Sequence, residues 1–110
     1  MALPHATSGE VVDIGPLDDR LKESVSTALL RTDKLELMRL VLPAGKSLPE
    51  HHVEGECTIQ CIEGEINLDV EGSVKPMRMS QIVYLAPRVR HALVAIKDAS
   101  VLVTILRNQH

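Results

Sequence analysis

The sequence predicts an all-β fold, on three observations. Short apolar segments recur at intervals of about 8–12 residues, the spacing of small sandwiches and barrels. They stop at turn-forming residues: Pro43-Ala44-Gly45, Glu63-Gly64, Glu71-Gly72 and Pro87. Nothing in the second half of the chain has the length and period of a buried helix.

Residues 1–16, with Pro4, Gly9, Gly15 and Pro16, read as an extended lead-in, and residues 17–110 as one domain. A chain of 110 residues has room for one domain. Residues 17–30 admit two readings. Leu17, Leu21, Val25 and Leu29 recur at helical spacing behind Asp18 and Asp19, which suit a first turn. Val25 to Leu30 also reads as a strand. The reading adopted is a short helical or irregular segment, a strand from about Ser24, and a turn at Thr32-Asp33-Lys34. Strands are then expected at Leu35 to Leu42, Thr58 to Ile62, Glu65 to Val70, Val74 to Met79, Ile82 to Leu85, His91 to Ile96 and Val101 to Leu106. Lys97-Asp98 reads as a hairpin turn between the last two.

Composition excludes several functions. Hydrophobic residues make up 45%, yet Phe and Trp are absent and Tyr84 is the only aromatic, so the core must be aliphatic. Stacking platforms for single-stranded nucleic acid are lacking. A net charge of −3 offers no basic stripe for phosphates. No stretch has the apolar length of a membrane span, and MALPHATSGE does not read as a secretory signal. Cys57 and Cys61, on one strand, would sit roughly 13 Å apart at about 3.3 Å per residue. That exceeds disulfide reach of roughly 7 Å, so free thiols and a reducing cytoplasm are expected.

Gly45 to Gly64, GKSLPEHHVEGECTIQCIEG, resembles the first signature of the cupin superfamily: Gly, five residues, His, one residue, His, three or four residues, Glu, six residues, Gly. Gly45, His51 and Gly64 match it. Ser80 to Ala95, SQIVYLAPRVRHALVA, resembles the second signature, in register at His91, with Pro87 one place beyond the expected proline and Arg88 in place of a glycine. The motifs and the segment between them span about half the chain. The resemblance implies a jelly-roll barrel, a double-stranded β-helix, with the two motifs on neighbouring inner strands. It also implies a homodimer.

Typical cupins hold a divalent metal such as Fe, Mn, Ni or Zn on three histidines and a glutamate, and the resemblance places those positions on His51, Val53, Cys57 and His91. Val53 cannot ligate. A Cys57 thiolate is a good zinc or copper ligand, which would make a three-donor site with an open position; the plainer alternative is a small buried hydrophobe. His52 occupies the spacer position and would point outward on a regular strand, but a bulge would swing it inward as a replacement ligand. Glu54 and Glu56 are substitute carboxylates or solvated charges beside Glu50. Losing the glycine at Arg88 puts the tight turn in doubt. Arg88 and Arg90 form a cationic rim for a carboxylate or phosphate, or are ordinary surface arginines. Tyr84 is a polar handle inside the barrel or a core residue with a bonded hydroxyl. Cys61 is core; His5 and His110 are solvated or mobile.

Two functions compete. One is a binding module holding a small molecule in the barrel. The other is a metal-dependent enzyme, dioxygenase- or isomerase-like, using His51, His91 and either Cys57 or His52. A barrel serving mainly for assembly is a third, because fold alone does not decide.

Overall fold

The structure, a computed structural model, describes residues 5–107. Residues 1–4 of the lead-in, and His110, lie outside the described residues. Among the described residues, nine strands follow a short 3-10 helix at Asp18–Glu23: β1 Thr27–Arg31, β2 Leu35–Leu42, β3 Ser47–His51, β4 Cys57–Glu63, β5 Glu65–Val70, β6 Ser73–Arg78, β7 Ile82–Leu85, β8 His91–Ala95 and β9 Ala99–Leu106. The helical spacing of Leu17 to Leu29 is thus realised for one short segment only. Leu21 is buried, but Val25 is exposed and Leu29 belongs to β1.

The strands form two antiparallel sheets, one in the order β1-β2-β9-β4-β7 and the other β3-β8-β5-β6. This is the predicted all-β jelly roll. Only β1–β2 and β5–β6 join consecutive strands as hydrogen-bonded neighbours; every other connection crosses between the sheets. The expected hairpin at Lys97-Asp98 is therefore corrected: β8 lies between β3 and β5, whereas β9 lies between β2 and β4. Turn chemistry serves a crossover as well as a hairpin. Here the Asp98 carboxylate accepts the Ala44 N–H at 2.8 Å, tying this crossover to the one between β2 and β3.

Alternation explains which faces meet. Along β4, Cys57, Ile59 and Cys61 point between the sheets while Thr58, Gln60 and Ile62 point away. Leu42, Ile59, Ile66, Leu68, Val101 and Cys61 are fully buried and form the centre of the aliphatic core. Both cysteines are free, as their spacing predicted, and both are buried. The lead-in crosses the outer face of the first sheet, where the Ala6 N–H donates to the Leu29 carbonyl at 2.9 Å. Its far end is fastened by Glu63, whose carboxylate accepts the N–H groups of Leu17 at 2.8 Å and Asp18 at 3.0 Å and the Ser100 hydroxyl at 2.6 Å. No helix among the described residues is long and apolar enough to cross a membrane.

Candidate functional site

His51 closes β3 and His91 opens β8, and the two are register partners. Their ring centroids are 4.3 Å apart with the planes tilted by 56°. A bulge creates this juxtaposition. Leu48 pairs with Leu93 and His51 with His91, so three steps along β3 oppose two along β8. Without the extra residue, strand alternation would turn His51 away from the side that Leu48 faces. Pro49 sits in the bulge, on an edge strand, where its missing N–H costs the ladder nothing.

Both imidazoles are held alike. His51 Nδ1 lies 3.1 Å from the Pro49 carbonyl and His91 Nδ1 lies 3.0 Å from the Val89 carbonyl. A carbonyl only accepts, which assigns a proton to Nδ1 in each ring, so that in the neutral imidazole Nε2 is the acceptor. His51 is exposed at the mouth, whereas His91 is 4% exposed behind it. Burial pushes the His91 pKa down; the Val89 carbonyl opposes this, and nearby His51 and His52 add to the lowering. His91 is thereby kept neutral at neutral pH.

The two rings open onto a cavity of about 370 Å³ between the sheets, walled by Met38, Leu40, Leu48, Val53, Ile59 and Val103 among others. Cys57 lines the same cavity, and burial raises its thiol pKa, which keeps it protonated. The structure thus brings His51, His91 and Cys57 to one space and puts Val53 in its wall. It does not assemble them as ligands: among the described residues, no three His, Cys, Asp or Glu side chains are grouped to hold a metal ion. The donor set does not fit the metal centre that the motifs imply.

The remaining candidates lie outside the cavity. The bulge falls between Leu48 and His51, before His52, so the inward swing considered for His52 does not occur. Its Nε2 pairs with Glu54 at 3.3 Å on the surface. Tyr84 is 57% exposed on the outer face of β7, which corrects the core placement; its hydroxyl is bonded as expected, donating to Glu56 at 2.5 Å. Arg90 pairs with Glu50 at 3.5 Å. Arg88 keeps the turn that loss of glycine put in doubt: it adopts φ 62° itself, and its N–H donates to the Val53 carbonyl at 2.9 Å. His5 is exposed, and Cys61 is core. What sequence reasoning missed is most of the cavity wall. The alternation of Met38 and Leu40 along β2 was the available signal, but only pairing with β9 tells which side is inner.

Many solved structures share this architecture. An RmlC-like cupin protein from Desulfovibrio desulfuricans is 27% identical, with a TM-score of 0.70 over 93% of this chain and 97% of that one. An RmlC-like cupin family protein with a double-stranded β-helix fold, from Methanocaldococcus jannaschii, is 22% identical, with a TM-score of 0.74 over 90% and 94% of the two chains. A cupin superfamily protein from Desulfitobacterium hafniense is 17% identical, with a TM-score of 0.74 over 76% and 77%. No protein-family model matches the sequence, and no curated protein matches it. The chain is a small cupin-superfamily domain.

Proposed function

We propose that this cupin binds a small neutral molecule inside its barrel without requiring a metal. One observation carries the reading: a mostly apolar cavity of about 370 Å³ that presents two preset imidazole acceptors, His51 at its mouth and His91 behind it. That volume suits a small ligand, whose body the aliphatic wall would cover while few polar groups orient it. The ligand class is an apolar molecule bearing a hydroxyl, phenol or amide N–H that donates to Nε2 of His91 or His51.

The test is a thermal-shift screen of phenols, alcohols and primary amides against protein held in chelator. A ligand at a hundred times its Kd should stabilise the fold by about 2.7 kcal/mol. The shift should vanish in the His51→Ala, His91→Phe double variant. Shifts produced by metal salts alone, or retained in that variant, would overturn the reading.

The metal-dependent alternative draws on the same two Nε2 atoms, since an Nδ1–H bonded to a carbonyl is how ligating histidines are oriented. It lacks a grouped third donor. Stoichiometric metal in protein purified without chelator would restore it. A homodimer belongs to the proposal on the resemblance alone. Sedimentation velocity reads it directly, and a 12.1 kDa species would remove it.

A further inference from the structure

Between the lead-in, the 3-10 helix and the outer face of the first sheet lies a second cavity, of about 410 Å³, lined by Asp13, Leu17, Arg20, Glu23, Leu29 and Arg39 among others. It shares no lining residue with the barrel cavity. Met38 and Leu40 face the barrel, so Arg39 between them faces this cleft, and it is only 8% exposed. Among the described residues its one hydrogen bond is a long one, from Nη2 to the Asp13 carbonyl at 3.5 Å. Its Nε is buried with no partner. The Glu63 carboxylate feels the guanidinium charge but forms no ion pair with it, and its oxygens are already taken by Leu17, Asp18 and Ser100.

A buried guanidinium without a carboxylate breaks the rule that buried charges are paired and hydrogen-bonded. Its planar fork matches a carboxylate, two N–H donors to two oxygens. We infer that this cleft is a binding site for a short aliphatic monocarboxylate, held by Arg39 from its floor and by Arg20 from its rim. The carboxylate replaces the long bond to the Asp13 carbonyl and takes the orphaned Nε–H as well. Leu17, Val25 and Leu29 meet the alkyl part. The charge balance of the lining favours a monoanion over a dianion. Arg20 and Arg39 are offset by Asp13 and Glu23, leaving no net charge, so a dianion such as sulfate meets two carboxylates with too little compensation.

The experiment follows the arginine Nε–H resonances of the full chain by NMR during titration with sodium propionate at constant ionic strength, with sodium sulfate as comparator. One Nε–H signal, missing from the spectrum of Arg39→Met, should shift saturably with propionate and several-fold less with sulfate. Arg20→Ala, a change at an exposed position, should weaken the response several-fold. The wild-type resonance carries the test even if Arg39→Met does not fold. An Nε–H signal that propionate leaves unmoved, or that sulfate moves equally, would overturn the inference. So would Asp13→Asn alone displacing that signal as far as saturating propionate, because Asp13 would then be the counterion.

Discussion

At His91 and Glu63, burial acts on two ionisable side chains with different outcomes. Burial lowers the His91 pKa, so on acidification the unfolded chain takes up its proton first. Stability is then lost as the pH falls below the ordinary 6.5, and the loss levels off once the folded imidazole is also protonated. The thermal midpoint of the wild type should fall through that window relative to His91→Phe. Ligand affinity at Nε2 should fade over the lower part of the same window, as an NMR titration of His91 would show. At Glu63, burial alone would raise the pKa, but the hydrogen bonds from Leu17, Ser100 and Asp18 and the Arg39 charge outweigh it and hold it low. A lowered carboxylate pKa contributes stability above the unfolded value of 4.5, and that contribution is lost as the pH drops through the folded value. Glu63→Gln should cost about 1–3 kcal/mol at neutral pH, because it mismatches a buried hydrogen-bonded network. Urea unfolding should show the difference from wild type shrinking in acid. Arg88 holds positive φ without being glycine, a conformation costing about 1–2 kcal/mol for an L side chain. Arg88→Gly should recover part of that, less the glycine's greater freedom in the unfolded chain, and raise the urea midpoint slightly.

Connections between elements place the site as firmly as the strands do. Gly64 turns the chain from β4 to β5 at φ 80°, and a Cβ there would lie 2.1 Å from the Asp98 carbonyl oxygen and 2.7 Å from the Ala99 Cα. These are backbone atoms, so a crossover would have to move. Gly64→Ala should cost more than 3 kcal/mol, beyond an ordinary substitution, which equilibrium unfolding would register. Gly64 was legible in the sequence because the motif demands a glycine there. So were most strands, because Leu35–Leu42 and Cys57–Glu63 carry their burial pattern on their face. β3 was not read as a strand: Ser47–His51 is mostly exposed, holds a proline and bulges, so it lacks the alternation that marks a strand. Ile-Val-Tyr-Leu is apolar at every position, which hid the outward parity of Tyr84. His51 and His91 were legible as a pair by motif alone. Their shared proton placement, and the roles of Arg39 and Glu63, depend on partners distant in sequence that no local pattern announces.

The whole molecule joins early to late chain, since β2 pairs along its full length with β9 and encloses the barrel cavity between the two sheets. Residues 5–16 of the lead-in take no part in that closure. They lie on the outer face, held by the Ala6–Leu29 hydrogen bond and by partial cover of Leu37 and Leu102. A division near residue 16 is therefore proposed as an energetic one, and a chain lacking residues 1–14 tests it. Gly15 onward keeps Leu17 and Asp18 for Glu63, so the anchor of the 3-10 helix survives. Val12 and Ile14 are only partly covered, so their removal should cost about 1–3 kcal/mol. Return of the Arg39 guanidinium to water offsets some of this. The shortened chain should unfold cooperatively at a lower urea midpoint, keep its phenol or amide ligand in the barrel, and lose its response to propionate. Failure to fold would show the lead-in to be part of the domain. Loss of barrel binding in a folded chain would show that the two cavities are coupled through β2, whose Arg39 faces one and whose Met38 and Leu40 face the other.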